Sequence, residues 1–376
     1  MKIKLYLWVI SMVMAVKLDA QQVITTNFSS SSLNGAIIPL NVYLPQGYNE
    51  NASPYNLYIF LHGCCGLNHQ THISDFEAQL NLMIANGQIE PLVMVFPSAQ
   101  GADFGNRHMW HNSERNGQYS DLITSDLLDW ITTNYNVSES RRAIGGFSMG
   151  ADGALRIGLQ NSDKFVATIS HSSFPALDFF PNLIPFLINE AGQTNPPYTF
   201  TPSPGSLTET VYGAASAWSA NNDNPNFNVD FPIDSNGQLN EDVFTTWKTN
   251  ADIETIIRSN WGTSKEVPLG IYVDVGTAED FFLPNSILNT QLNNLIQAEN
   301  FQINFNYTEF IGGHILTRQK IETSMIWLQQ AFSNITTSIQ ELPIRDFTVF
   351  AKQINHENLR NYILHPHFIN FKKNSK

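Results

Sequence analysis

The sequence has very few cysteines and charged residues. Its only two cysteines, Cys64 and Cys65, are adjacent. A network of disulfides between distant segments is therefore excluded, and a hydrophobic core must stabilise the fold. We expect Cys64 and Cys65 to be two packed thiols, because a disulfide between neighbouring residues is strained.

Charged residues make up 14% of the chain, and the formal net charge is −13. This balance argues against nucleic-acid binding through a basic surface. Beyond the N-terminal region, no segment reaches the roughly 20 apolar residues that a membrane span needs. The 42% of hydrophobic residues is ample for the core of one large α/β domain with insertions, or of two domains. The sequence does not predict an oligomeric state.

The first 20 residues have the pattern of a targeting segment. Lys2 and Lys4 precede the apolar run Leu5 to Val16, which is short for a membrane span. We interpret residues 1–20 as a secretory signal peptide cleaved near Ala20, which predicts an extracellular or periplasmic protein. An uncleaved N-terminal anchor is the alternative.

Strand-like and helix-like segments alternate along residues 21–332, which we predict to form one α/β domain. This order favours a mostly parallel sheet with helices on both faces. The predicted strands are Ile37–Leu44, Leu57–Leu61, Leu92–Phe96, Arg141–Phe147, Phe165–Ile169, Leu269–Val275 and Gln302–Phe310. The predicted helices are Ile73–Ala85, Ser120–Tyr135, Ala151–Gln160, Ser286–Ala298 and Lys320–Phe332.

An insertion at about 175–261 interrupts this pattern. It is rich in Asn, Pro, Ser, Thr and aromatic residues, with short helices predicted at Leu207–Ala220 and Glu241–Trp247. A segment this long is expected to have structure of its own, and we interpret it as a lid or substrate wall. Its aromatic side chains could stack sugars or an aromatic acyl group, or they could form a small core. Residues 333–376 form a C-terminal extension with no predicted role.

The motif that carries chemistry is Gly146-Phe147-Ser148-Met149-Gly150, a G-x-S-x-G sequence between a predicted strand and a predicted helix. A serine at such a sharp turn is lifted out of the sheet, and the glycines permit close backbone approach. The following helix directs its free N–H groups towards negative charge that develops beside the serine. This context predicts that Ser148 is a nucleophile.

A nucleophilic serine needs a histidine base and a carboxylate that orients the histidine. His314 is the best base, because it follows a predicted strand and precedes a helix. The carboxylate should follow the strand that ends at Val275, where Glu279 and Asp280 are both available. We favour Asp280 and keep Glu279 as the alternative acid.

Acyl transfer also needs donors for the oxyanion. One is expected to be the backbone N–H of Met149, and the other the N–H of Cys64 in the His62-Gly63-Cys64 turn after a strand. We expect His62 to be structural. A nucleophilic Cys64 is a weaker alternative, because Ser148 has the better context.

These motifs resemble the esterase D and feruloyl-esterase-like group of α/β hydrolases, with the mycolyltransferases as more distant relatives. The resemblance covers about Pro39 to Gln330 without the insertion, and GGFSMG and LHGCCG carry most of it. It implies the α/β-hydrolase fold, the nucleophile, base and oxyanion donors named above, and Trp110 as a residue lining the substrate pocket. The family pattern places the acid at Glu279 when aligned on the loop glycine, and at Asp280 when aligned on the following Asp-Phe-x-Leu-Pro.

We therefore expect a secreted serine carboxylic-ester hydrolase that forms an acyl-enzyme and needs no metal or organic cofactor. Acylated carbohydrate or another extracellular ester is the expected substrate. Two alternatives remain open: an acyltransferase that uses a sugar hydroxyl, and a non-catalytic carbohydrate-binding surface protein.

Overall fold

The computed structural model describes residues 22–174, 176–260, 269–280, 282–301 and 303–336. The predicted signal peptide lies outside these ranges, as does the C-terminal extension from residue 337 onward. Within the described ranges, no helix has both the length and the apolar character needed to cross a membrane.

The fold is built around an eight-stranded sheet with the order β1-β2-β4-β3-β7-β8-β9-β10. The strands are β1 (Gln22–Ser30), β2 (Ala36–Leu44), β3 (Tyr55–Leu61), β4 (Leu92–Pro97), β7 (Val137–Phe147), β8 (Ala167–His171), β9 (Leu269–Gly276) and β10 (Ile303–Phe310). β5 (Asn112–Ser113) and β6 (Gly117–Gln118) form a separate short hairpin. β2 runs antiparallel to β1 and β4, and every other neighbouring pair in the large sheet is parallel. The predicted mostly parallel sheet is confirmed.

Helices connect the parallel strands and cover the sheet. They are α1 (Ile73–Ala85), α2 (Asp103–Asn106), α3 (Tyr119–Asp121), α4 (Leu128–Asn134), α5 (Met149–Gln160), α6 (Ile184–Ala191), α7 (Leu207–Trp218), α8 (Glu241–Ala251), α9 (Ile253–Asn260), α10 (Phe282–Glu299) and α11 (Arg318–Thr336). A π-helical turn at Leu122–Leu127 joins α3 to α4, so the helix predicted at Ser120–Tyr135 is present with a widened middle.

The sequence patterns missed strand β1 and several helices of the insertion. β1 is an edge strand paired only with β2, and its sequence QVITTNFSS alternates too weakly to predict a strand. The 3-10 helix Leu177–Leu183, α6 and α9 were also missed, because proline and asparagine interrupt their apolar spacing or the segments are short. α7 and α8 confirm the two helices predicted within the insertion.

The insertion packs as part of the main core. Phe180, Trp218 and Trp247 are each no more than 5% exposed and belong to the same apolar cluster as Leu57 and Ile144 of the sheet. Most aromatic side chains of the insertion are buried in this way, so the core interpretation is correct for them. Phe227 is the exception among the large aromatic residues described, at 41% exposed.

Arg156 on α5 contacts two residues of the insertion and so joins it to the helix that follows Ser148. Its side chain is buried, its Nε donates to the backbone oxygen of Ala251 at 2.8 Å, and its guanidinium lies 4.7 Å from the ring centre of Trp218. Asp152, one turn earlier on the same helix, is its carboxylate partner at 3.5 Å. A buried arginine needs such partners to offset its desolvation.

The parallel strands bring the sites predicted from the sequence to one edge of the sheet. β3, β7, β8, β9 and β10 all run in the same direction, so the loops that follow them lie at their common carboxyl edge. In open α/β sheets, this edge is where ligands bind.

Candidate active site

Ser148 lies in the one-residue turn between β7 and α5. Its backbone has φ 57° and ψ −123°, a conformation that non-glycine residues rarely adopt. The Ser148 N–H donates to the backbone oxygen of His171 at 3.0 Å, and the Ser148 carbonyl accepts from Ala151 and Asp152 in the first turn of α5. The strained turn predicted for this serine is therefore present, and neighbouring backbone groups hold it in place.

Two glycines allow α5 to approach strand β3 closely. A Cβ on Gly150 would lie 2.0 Å from the carbonyl oxygen of Leu61, and a Cβ on Gly146 would lie 2.7 Å from the same atom. Both distances are far below van der Waals contact, and the obstructing atoms belong to the backbone. Any side chain at either position would push the nucleophile turn away from the end of β3.

The turn after β3 lies directly beside the serine. A Cβ on Gly63 would come within 3.2 Å of Ser148 Cβ and 3.3 Å of the backbone oxygen of Phe147. This close approach brings the His62-Gly63-Cys64 turn next to Ser148 and to the N-terminus of α5 at Met149. Both predicted oxyanion donors therefore come from segments that border the nucleophile.

His62 has a structural position, as its sequence context predicted. Its Nδ1 lies 2.7 Å from the backbone oxygen of Gly63, and its Nε2 accepts the N–H of Ala99 at 3.0 Å. Both ring nitrogens therefore have partners, and the ring carries its proton on Nδ1. Burial, the largest influence, lowers the pKa of His62 from 6.5 to about 4.

Trp110 supports this turn from inside the protein and does not line an open pocket. It is 1% exposed, and its Nε1 donates to the backbone oxygen of His62 at 3.1 Å. Gly153 on α5 leaves room for it, since a Cβ there would lie 2.5 Å from Trp110 Cβ. The prediction that Trp110 contacts substrate is corrected by this burial: the tryptophan fills the space between the turn and α5.

Cys64 and Cys65 form a disulfide, so the expectation of two free thiols is wrong. The Cys65 N–H donates to the backbone oxygen of Gly105, and the Leu67 N–H donates to that of Cys64, so the turn is also fixed by its backbone. The alternative of a nucleophilic Cys64 thiolate has no support in this oxidised pair.

His314 lies in the loop between β10 and α11 and is oriented by Glu279. Its Nδ1 is 2.6 Å from Glu279 Oε2, and its ring centre is 4.7 Å from that of Phe147, the residue before Ser148. The His314 side chain is 33% exposed, whereas the Glu279 side chain is fully buried. A histidine beside the candidate nucleophile Ser148, with a buried carboxylate on its Nδ1, is the arrangement expected of a general base.

The carboxylate on the histidine is the alternative acid, Glu279, and not the favoured Asp280. Asp280 is the next residue in the same loop, and its side chain is exposed. The loop is aligned by two backbone hydrogen bonds to the histidine loop, from the Thr277 N–H to Phe310 O and from the Ala278 N–H to Gly312 O, each 2.8 Å. This pairing turns Glu279 inward, which the sequence could not reveal.

A buried polar cluster behind Glu279 was not predicted. Lys320 on α11 is 1% exposed, and its Nζ lies 2.7 Å from Ser172 Oγ and 3.3 Å from Asp274 Oδ1. Asp274 Oδ2 is 2.6 Å from His171 Nδ1. The only sequence signal was a lysine near the start of an amphipathic helix, a pattern that ordinarily indicates an exposed side chain.

Comparisons with known proteins identify the family and the fold of the chain. The family described as "Putative esterase" matches residues 30–318. Among curated proteins, the chain is similar to the endo-1,4-beta-xylanase Y of Acetivibrio thermocellus, with 34% identity over 122 residues. That match covers 30% of this chain and 11% of the xylanase, so the chain spans only a small part of that relative.

Three solved structures share the fold. The fluorophosphonate-binding serine hydrolase FphF of Staphylococcus aureus has a TM-score of 0.55 at 15% identity, covering 82% of this chain and 98% of its own. The S-formylglutathione hydrolase FrmB of Staphylococcus aureus has a TM-score of 0.53 at 15% identity, covering 83% and 100%. A ferulic acid esterase has a TM-score of 0.51 at 17% identity, covering 83% and 99%.

The low pKa of His62 predicts a pH-dependent stability. Between about pH 6.5 and pH 4 this histidine is protonated in the unfolded chain and neutral in the folded protein. The unfolded state then binds the extra proton, so His62 makes the free energy of unfolding fall as the pH is lowered, by about 1.4 kcal/mol per pH unit. Urea denaturation at several pH values between 4 and 7 measures this slope.

His62→Gln should reduce the change in unfolding free energy with pH by about 1.4 kcal/mol per pH unit between about pH 4 and 6.5, the contribution of one proton. This difference is expected even if the variant is less stable at pH 7. Effects of other titrating groups cancel in the comparison. Parallel slopes for the two proteins would show that His62 is not held neutral.

Proposed function

Since the chain belongs to the esterase family described as "Putative esterase" and is a serine carboxylic-ester hydrolase, we propose that Ser148, Glu279 and His314 are its catalytic triad. The observation that carries this assignment is the 2.6 Å contact between His314 Nδ1 and buried Glu279 Oε2, on a histidine packed beside the nucleophile turn. Ser148 has the backbone conformation expected of a nucleophile at a strand–helix turn.

The proposed reaction has two stages. His314 Nε2 takes the proton of Ser148 as the hydroxyl attacks the ester carbonyl, and returns it to the departing alcohol. Glu279 holds the proton on Nδ1 and stabilises the imidazolium that forms. Water, deprotonated by the same histidine, then attacks the acyl-enzyme, and the histidine returns this proton to the Ser148 oxygen as the acid is released.

The oxyanion of each tetrahedral intermediate is proposed to bind the backbone N–H groups of Cys64 and Met149. The close approach of Gly63 to Ser148 supports the first donor. The position of Met149 as the first residue of α5 supports the second, since helix N-termini have free N–H groups and a positive end. Fixed donors of this kind stabilise the charge where it develops.

For the substrate, we propose an acylated carbohydrate or another extracellular ester. The partial similarity to an endo-1,4-beta-xylanase supports a polysaccharide setting. The exposed ring of Phe227 also supports it: this ring packs on Phe104, and the neighbouring Gly105 accepts a hydrogen bond from Cys65 beside the oxyanion turn. An exposed aromatic ring near the site can stack on a sugar or on an aromatic acyl group.

Secretion is part of the same proposal and depends on the sequence of residues 1–20. The mass of the protein recovered from the culture medium tests it, because cleavage near Ala20 would leave Gln21 at the N-terminus.

Ser148 should be the residue that a fluorophosphonate probe labels. Peptide mass mapping of the labelled protein is expected to find the adduct on Ser148, and Ser148→Ala should lose labelling and hydrolysis of p-nitrophenyl acetate together. Loss of the nucleophile typically costs on the order of a million-fold in kcat. Hydrolysis by Ser148→Ala at the parent rate would refute the triad and with it the proposed mechanism.

Glu279→Gln should lower kcat by about 100-fold or more, because the neutral amide no longer stabilises the imidazolium and can favour the wrong tautomer. Asp280→Asn is the matched control, one residue away in the same loop, and should keep kcat within about 3-fold because its side chain is exposed. Steady-state kinetics on one activated ester compare the two. A larger loss for Asp280→Asn would return the acid assignment to Asp280.

An acyl panel separates hydrolysis from transfer and defines the acyl group. We expect arabinose or xylose esters of aromatic acids to give a higher kcat/KM than the corresponding acetyl esters, and water to remain the acceptor when free sugar is added. Phe227→Ala should reduce this preference by about 3- to 10-fold, equal to roughly 1 kcal/mol of lost stacking. Formation of a new sugar ester in the presence of acceptor would favour the acyltransferase alternative.

A further inference from the structure

Behind the proposed triad lies a set of buried ionisable side chains that the reaction described above does not use. Lys320, Asp274 and His171 are each no more than 1% exposed, and they lie on α11, β9 and β8. Buried ions of this kind are costly unless each has partners. Lys320 connects this set to Glu279, both through Ser172 and by an ion pair.

Ser172 connects Lys320 to Glu279. The Lys320 ammonium donates to Ser172 Oγ at 2.7 Å, and Ser172 Oγ donates to Glu279 Oε1 at 2.8 Å. The direction of this chain is fixed, because an ammonium can only donate and a serine hydroxyl has a single proton. The proton of Ser172 must therefore point to Glu279, which receives it as an acceptor.

This chain determines which oxygen of Glu279 is available to the histidine. Oε1 accepts from Ser172 and from the Gly276 N–H, while Oε2 accepts from His314. With Oε1 occupied by two donors, the carboxylate cannot rotate without breaking both hydrogen bonds. Oε2 stays aligned with His314 Nδ1, and Nε2 is left to act as the base.

Lys320 also balances the charge of two carboxylates. Its Nζ lies 3.3 Å from Asp274 Oδ1 and 3.8 Å from Glu279 Oε1. Without that ammonium, two buried carboxylates would lie close together with no opposite charge between them, which is costly in the interior. The geometry of Glu279 would then no longer be fixed from this side.

We propose that Lys320 is a positioning residue for the proposed triad: through Ser172 and by its own charge, it holds the Glu279 carboxylate oriented towards His314. The proposal rests on the function assigned to Ser148, His314 and Glu279. The lysine does not touch the substrate, so its effect should appear in kcat and should depend on the presence of Glu279.

The test is a double-mutant cycle on kcat between Lys320 and Glu279. Lys320→Met should lower kcat at least 10-fold, about 1.4 kcal/mol of transition-state stabilisation, with KM changed less than about 3-fold. Glu279→Gln should lower kcat further, and the double variant should be no slower than Glu279→Gln alone. Effects that multiply, or an unchanged kcat in Lys320→Met, would overturn the proposal.

Two further variants keep the test decisive. Ser172→Ala should lower kcat in the same direction, because it removes the connecting hydroxyl. If Lys320→Met does not fold, the same cycle is measured in an Asp274→Asn background. This substitution removes the second carboxylate that Lys320 pairs with, so the loss of the lysine leaves less buried charge unbalanced. Lys248→Met is the matched control: this lysine also pairs with a carboxylate, Asp178, but at the surface, and its loss should leave kcat unchanged.

Ser148→Ala is measured in parallel to separate the two proposals. An active Ser148→Ala would refute the proposed function itself. An inactive Ser148→Ala together with a fully active Lys320→Met would refute only the role of the lysine.

Discussion

The active site depends on one close contact between backbones, where α5 begins against the end of β3. Gly146 and Gly150 have no side chain, which lets the turn at Ser148 pack against the carbonyl oxygen of Leu61. Gly63, just after β3, likewise lets its turn pack against Ser148. Three glycines thus replace side chains at the point where the two segments meet. The strained backbone of Ser148 is tolerated because helix α5 and His171 hold its N–H and carbonyl groups.

The second half of the site depends on buried charge. Glu279 accepts hydrogen bonds on both oxygens, from Ser172 just after β8, from Gly276 of β9 and from His314. Lys320 of α11 adds an ion pair at 3.8 Å. The carboxylate therefore links elements that are distant in sequence. Since each partner compensates the desolvation of the next, the site and the packing of this corner of the fold cannot be altered independently.

The sequence predicted those features that are local. Neighbouring residues were enough to infer the strand–serine–helix motif around Ser148, the position of His314 after a strand and the structural role of His62. The choice between Glu279 and Asp280 could not, because it depends on the pairing of Thr277 and Ala278 with the histidine loop. Lys320 was missed for a similar reason. The periodicity of a helix does not show that its lysine will be buried between two carboxylates of other elements. Trp110 was placed in the pocket by resemblance, but its burial depends on Gly153 on the facing helix.

The insertion shares its core with the catalytic sheet, and Arg156 ties it to the helix that carries the nucleophile turn. Most residues that could shape a binding pocket from this segment are therefore also residues that keep the enzyme folded. Within the insertion, solvent-facing positions such as Phe227 are the ones where substitutions cost the fold least. In the interior of the insertion, a substitution that reshaped the surface for a new ligand would also lower the free energy of unfolding.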